Sequence, residues 1–334
     1  MIGNNTKKAR MLLIALAVAV IGIPVLGASG VEEGEYPSRN IRLIIPTGEG
    51  GSADRVAQAV TNVWREYLGV EFERSFHPGA SGQVGYEVFM DSEPDGYTLL
   101  TGNLSAEMIM YGLQDPDYDF PEDLVYFASV GTDPQVLWVP KDSPFETIEE
   151  LVEESKERPI TVSTSRLPHP ATIGAAGIAD ATGGEFRMVP YGGGSAARTA
   201  GVTGEVDASI DDVGSSTPLA DDIRFLVMFQ SENLWPDLSE DVPTVNDVFD
   251  TDLPNLGSIR VFAVQREFIE QYPERFEILV STLQEAMEDP RMAEEHEAVG
   301  FDGVFVSYQG MDETMADAER MLGLVEQFED YLTE

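Results

Sequence analysis

The feature that most restricts this chain is a repeated local grammar: an apolar run empties into a loop of glycine and hydroxyl residues, and the loop opens a helical pattern. It occurs at 41–45 followed by Pro46-Thr47-Gly48-Glu49-Gly50-Gly51-Ser52-Ala53-Asp54, at 70–74 followed by 77–85, and at 97–101 followed by Gly102-Asn103-Leu104-Ser105. Strands that each feed a helix through a short loop mark a parallel sheet flanked by helices, in which ligands sit at the carboxyl ends of the strands. From 136 onward the grammar resumes, with strands expected at 136–139, 160–162, 186–190, 208–210 and 225–229. A strand at 259–264, a helix at 274–287 and a final helix from Asp312 then carry the chain back to the first unit. In that last helix Met315, Met321, Leu322, Val325, Phe328 and Leu332 share one stripe. The expected fold class is α/β, with two lobes built on mixed, mostly parallel sheets and joined by crossings near 131–135 and 257–261. Paired crossings suit hinge closure on a ligand.

Charge restricts the partners. The 334 residues carry 60 Asp and Glu against 20 Lys and Arg, a net −40 at pH 7. A field of that sign repels nucleic acid, and an anionic ligand must be held against it by local dipoles. Acids spread over expected helix faces, such as Glu149-Glu150 and Glu294-Glu295, read as a solvated surface suited to high salt, where the Debye length falls to about 3 Å at 1 M. The N-terminus reads as an export leader: Lys7, Lys8 and Arg10, an uncharged run over 11–26, then Gly27-Ala28-Ser29-Gly30, with cleavage expected between Gly27 and Gly30. As a retained anchor, the run falls short of the ~20 residues a spanning helix needs and contains Pro24. There is no cysteine, so neither a Cys-linked lipid nor a disulfide is expected in this exported protein.

Reactive constellations are sparse. His77, His169 and His296 fall in no metal-binding spacing, and neither metal nor cofactor is expected. A hydrolase using Ser81 with His77, or Ser165 with His169, lacks an orienting acid, and Gly79-Ala80-Ser81-Gly82 departs from a nucleophile elbow by one position. Asn103-Leu104-Ser105 fits a glycosylation sequon but falls in a loop expected to face the cleft. What recurs is a set of polar loops poor in basic residues, at 48–52, 79–83, 102–105, 163–165 and 192–195. Each precedes a helix, so it can aim backbone N–H groups and hydroxyls at a carboxylate, and glycine lets the backbone come close. The loops contribute Thr47, Gly48, Glu49, Gln83, Asn103, Ser105 and Gly194 as candidate ligand contacts.

In these blocks the chain resembles the solute receptors of the tripartite tricarboxylate transporter family, also called the Bug family. The resemblance rests on Tyr36-Pro37-Ser38, on Pro46, Gly50, Gly51 and Asp54, and above all on Pro78-Gly79-Ala80-Ser81-Gly82 leading to Pro94-Asp95-Gly96-Tyr97-Thr98-Leu99-Leu100. Residues 163–169 with Thr182-Gly183, Tyr191-Gly192-Gly193-Gly194, Gly204-Glu205-Val206-Asp207 and Asp241-Val242-Pro243-Thr244 extend it to the C-terminal part of the chain. It implies a two-lobed periplasmic-binding-protein (Venus flytrap) fold, with a leader at 1–30, one lobe of 36–132 plus 261–334, and a second of 133–260. It also implies a non-enzymatic, monomeric receptor outside the cytoplasmic membrane that closes on a small carboxylate and passes it to one large and one small membrane subunit. In the family one carboxylate is held by backbone amides and water, without an arginine clamp. Carried over by position, Gly50, Gly51, Ser52, Ala80, Ser81 and Gly82 line the first lobe's side, and Ser163, Ser165, His169, Gly193 and Asp211 face them. Thr47 and Glu49 stand where relatives carry Phe and Pro; Glu49 would repel an anion or recruit a cation or amine, with Arg166 the candidate positive partner. After Gly257 the usual Trp and Ala-Pro-Ala-Gly pattern gives way to Arg260-Val261-Phe262-Ala263-Val264-Gln265, so the return crossing is expected to differ. A ligand sensor docking on a membrane signalling protein would share all of these features.

Overall fold

The computed structural model describes residues 36–114, 116–165, 167–191, 194–253 and 255–333. The expected leader at 1–30, Arg166 and Gly193 lie outside the described residues. The first run of elements is β1 (Ile41–Ile45), α1 (Ser52–Leu68), β2 (Phe72–Phe76), α2 (Gln83–Met90), β3 (Thr98–Asn103), α3 (Leu104–Gln114) and β4 (Leu124–Pro140). It continues with α4 (Ile148–Ser155), β5 (Ile160–Thr164), α5 (Pro170–Thr182), β6 (Phe186–Pro190), α6 (Gly194–Val202), β7 (Ala208–Asp212), α7 (Val213–Ser216) and β8 (Ile223–Met228). The last run is α8 (Pro236–Ser239), α9 (Val245–Phe249), β9 (Gly257–Gln265), α10 (Arg266–Gln271), α11 (Pro273–Met287), α12 (Arg291–Ala298), β10 (Val306–Gln309), α13 (Met311–Gln327) and α14 (Glu329–Thr333).

The strands and helices of the grammar form, but two of the expected loops do not: β3 runs through Asn103 straight into α3 at Leu104, so 102–105 is no loop, and Ser163 and Thr164 belong to β5. β1 lies between β2 and β3, parallel to both, and β5 lies between β6 and β7, parallel to both. These two parallel sets are joined through antiparallel strands: β9 pairs with β3 and β4, while β7 and β8 pair with β4. β4 belongs to both sheets of this two-lobed α/β fold. Over Leu124 to Pro134 it pairs with β9, and from Gln135 it pairs with β7. The outbound crossing expected at 131–135 is therefore the middle of one 17-residue strand. Sequence inspection catches only its last part. Leu124 to Ala128 is buried continuously and shows no alternation, and Asp133-Pro134 reads as a break.

The core explains why these segments take these forms. α1 presents Val56, Val60, Val63 and Trp64 inward, and the Trp64 ring meets Phe262 of β9 edge-on with centroids 5.4 Å apart. Gly69 stops the helix at φ 75°, its N–H donating to the Arg65 carbonyl. The stripe of α13 and α14 buries Met321, Val325, Phe328 and Leu332; α13 packs on α3 and β4, and α14 reaches α5. With β4 common to both sheets, Pro37 onward forms one unit of contacts.

Candidate functional site

The first loop leaves β1 at its carboxyl end and enters α1 at Ser52, with Gly51 as an N-cap that supplies no side chain. Gly48, Glu49 and Gly50 are exposed. The Gly50 N–H donates to Asp54 Oδ2 at 2.8 Å, and the Gly51 N–H to the Gly48 carbonyl at 3.3 Å. Asp54 is buried, and its Oδ1 accepts from Arg74 Nη1 at 2.5 Å. One amide of the loop is thus committed to the chain's own carboxylate, and the acid inside the turn is Asp54, whereas Glu49 is exposed. Thr47 Oγ1 is buried with no hydrogen-bond partner among the described residues.

The second loop is held in an unusual backbone. Gly79, Ala80, Ser81 and Gly82 have φ of 142°, 44°, 55° and 111°. Left-handed geometry costs an L-residue about 1–2 kcal/mol, so Ala80 and Ser81 adopt it only because their surroundings impose it. Those surroundings are the first loop: a Cβ on Gly82 would lie 3.6 Å from Pro46 Cβ, and one on Gly85 would lie 2.6 Å from Pro46 Cα. The two glycine loops therefore seat on each other. Gln83 begins α2 and donates to Glu87 Oε1 at 2.7 Å.

At the end of β3, Asn103 Nδ2 donates to Ser258 Oγ at 3.1 Å, its N–H donates to Glu107 Oε1 at 3.0 Å, and its Oδ1 is buried without a partner among the described residues. Ser105 is buried and donates to the Gly257 carbonyl at 2.7 Å.

In the second sheet the candidates divide. Ser163 is buried and shares a 2.5 Å hydrogen bond with Ser209 Oγ, which ties β5 to β7. Ser165 is half-buried beyond the end of β5. His169 caps α5, its Nδ1 accepting from the Ala171 N–H at 3.1 Å. Gly194 opens α6, where an added Cβ would meet Arg198 Nη1 at 3.1 Å; that guanidinium donates to Asp211 Oδ2 at 2.7 Å. His77 Nε2 engages Ser75 Oγ at 2.8 Å and Arg42 Nη2 at 3.1 Å, in place of Ser81.

A polar row that sequence reasoning missed crosses the middle of the fold. Asn103 is register-paired with Arg260, Ser258 with Asp133, and Gln135 with Asp212. Directly paired residues put their side chains on one face, so β3, β9, β4 and β7 together carry a continuous polar strip. It is wired across: Asn103 donates to Ser258, Ser258 Oγ donates to Asp212 Oδ2 at 2.6 Å, and the Gly214 N–H donates to Asp133 Oδ1 at 2.9 Å. Arg260 Nη2 donates to Ser52 Oγ at 3.1 Å, beneath the first turn of α1. Burial and the neighbouring Asp211 push the Asp212 carboxyl up to about 7. Burial, then Asp212, raises Asp133 well above the usual carboxylate range. Burial raises Asp211 as well, against the opposing pull of Arg198. Burial lowers Arg260, offset by Asp212, Asp133 and Glu107. The sequence signal was present in Arg260, the lone charge in the apolar run 259–264, but the register that gathers its partners was not. Among the described residues no cluster of His, Asp or Glu is arranged to hold a metal ion.

Comparison with known proteins decides the family. Residues 56–328 match the family described as "Tripartite tricarboxylate transporter family receptor". The chain belongs to this receptor family. A UPF0065 protein of Pseudomonas is 29% identical over 214 residues, and the chain spans 63% of that relative's length. Among solved structures, a TctC solute-binding protein from Polaromonas superposes with TM-score 0.73 at 21% identity, covering 87% of this chain and 99% of that one. An R. palustris protein solved with adipate gives 0.71 at 21% identity, covering 89% and 98%. MatC from Rhodopseudomonas palustris, with bound malate, gives 0.64 at 19%, covering 89% and 100%. These likenesses establish the fold. Members of the tripartite tricarboxylate transporter receptor family are receptors, in line with the non-enzymatic reading of the sequence, and the Ser165–His169 hydrolase alternative is set aside.

Proposed function

We propose that this protein captures a small organic carboxylate outside the cytoplasmic membrane, to which the leader at 1–30 delivers it, and passes the ligand to the large and small membrane subunits of a tripartite tricarboxylate transporter. It acts as a monomer, with lobes of 36–132 plus 261–334 and of 133–260 rotating about β4 and β9. The observation that carries this function is the seating of the second glycine loop on Pro46 at the carboxyl ends of parallel strands. That seating supports a site in which Gly51 and Ser52, at the start of α1 where the helix dipole favours an anion, act together with Ala80, Ser81 and Gly82 of the second loop. The contacts proposed for the second lobe are Ser165, His169 and Gly194. The adipate and malate held by its structural relatives set the size of ligand to try first.

The test is a thermal-shift panel in 2 M NaCl spanning malate, adipate, citrate, tartrate, aromatic acids and acidic amino acids. At least one should raise the melting temperature, since a ligand at 100 times its Kd stabilises by about 2.7 kcal/mol. A flat response across the panel rejects the proposal.

A further inference from the structure

Arg260 is buried, and among the described residues it makes no contact ion pair; its one hydrogen bond goes to Ser52 Oγ in the first turn of α1. That placement is electrostatically adverse. The start of a 17-residue helix carries the positive end of its dipole, Arg55 adds a second cation from the same helix, and a buried guanidinium is costly without a partner. Like-signed features converging on one point are tolerated where an anion is to be held between them. The guanidinium fork matches a carboxylate in two parallel hydrogen bonds.

The counter-charges are equally specific. Arg260 is balanced at a distance by Asp212 from β7, Asp133 from β4 and Glu107 from α3. Asp212 in turn is faced by Asp211 on its own strand, Arg198 from α6, and Ser258 and Arg260 from β9, with Asp133 beside it. His296 of α12 borders the same small void as Arg260 and Asp133, and burial holds it towards the neutral form. In a chain of net charge −40, an incoming anion must displace negative charge that is already leaning on the only cation of the polar row.

We propose that Arg260 and the first turn of α1 together hold one ligand carboxylate, and that Asp212, which shares Arg260 in the empty protein, takes a proton from solvent as the ligand binds. Binding is then linked to uptake of one proton on the Asp212 carboxyl. The serine hydroxyl of Ser258 continues to donate to Oδ2, so the new proton goes to Oδ1. Burial already places Asp212 near neutrality, so little is needed to tip it. The inference rests on the carboxylate-receptor function proposed above.

Calorimetric titration tests both, using malate and adipate in 2 M NaCl at pH 6 and pH 8, in two buffers of different ionisation enthalpy. The wild-type protein should take up close to one proton at pH 8 and bind about tenfold more weakly there than at pH 6. Arg260→Gln should weaken binding about tenfold to a hundredfold, with Arg260→Lys intermediate. Asp212→Asn should bind at pH 8 as wild type does at pH 6, with no proton uptake. Because a buried arginine variant can fail to fold, proton uptake by the wild type and the Asp212→Asn profile decide independently of it. If neither acid binds the wild type, the receptor function with these acids fails and the inference fails with it. Binding that is unchanged in Arg260→Gln, or binding of the wild type without proton uptake, overturns the inference alone.

Discussion

Replacing Gly85 by alanine isolates the contact that seats one ligand loop on the other. The added Cβ would stand 2.6 Å from both Cα and Cβ of Pro46 and 3.2 Å from the His77 carbonyl oxygen. Carbon pairs rest at about 3.5–4.0 Å, so the loops must part by roughly 1 Å. Pro46 Cα is backbone and has no rotamer by which to yield. Overpacking of this kind costs about 1–3 kcal/mol, while alanine's helical preference over glycine returns roughly 0.5–1 kcal/mol. The net expectation is a loss of about 1–2 kcal/mol. Gly323, exposed in α13 with nothing within 4 Å of an added Cβ, provides the control; there the same substitution should gain roughly 0.5–1 kcal/mol. Urea unfolding in molar salt reads both, with unchanged m-values showing that midpoints report stability. Because the parted loops are the proposed ligand loops, Gly85→Ala should also lower the thermal shift given by any responding acid. If Gly85→Ala and Gly323→Ala shift the midpoint in the same direction by the same amount, the seating of the second loop on Pro46 is wrong.

Two further expectations follow from the polar row. Ser258→Ala removes both the acceptor of Asn103 Nδ2 and the donor to Asp212 Oδ2, so urea unfolding should show a loss of about 1–3 kcal/mol; a neutral result would mean that water replaces the hydroxyl. The Asp212 carboxyl stays protonated in the folded protein up to about 7 but ionises at its ordinary 3.8 when unfolded. Its contribution is therefore fully present at low pH and is lost as pH rises between those values, by at most about 1.4 kcal/mol per pH unit. Urea midpoints of the wild type relative to Asp212→Asn at pH 5, 6 and 7 should fall with that sign, and a constant difference would refute it.

What the sequence showed and what it hid follow one physical line. β1 and β6 could be read directly because short apolar runs end at glycine or proline, signals that need no knowledge of neighbours. The first half of β4 escaped because a strand buried on both faces has no period of two. The exposed Glu49 and the buried Asp54 look alike in sequence; only the path of the loop decides which acid meets Gly50. Asn103, Arg260, Ser258, Asp133, Gln135 and Asp212 lie far apart along the chain, and they become a row only through the register of β3, β9, β4 and β7. Cross-strand register is the part of a fold a single sequence states least.

β4 has a mechanical consequence. A pivot made of two loops would let the halves of the molecule swing freely, whereas a continuous 17-residue strand, paired with β9 over Leu124 to Pro134 and with β7 and β8 beyond it, behaves as a torsion bar. The lobe rotation proposed above would have to be spread over many small changes in strand twist, each opposed by ladder hydrogen bonds, so displacement would store elastic energy and the bar would return when the load is removed. The ladder with β9 is interrupted at two register shifts, between Tyr126 and Ala128 and between Ser129 and Gly131, where the local twist can change most readily. A receptor hung on such a bar would release its cargo by recoil once the contacts that hold the twist are taken over by another protein.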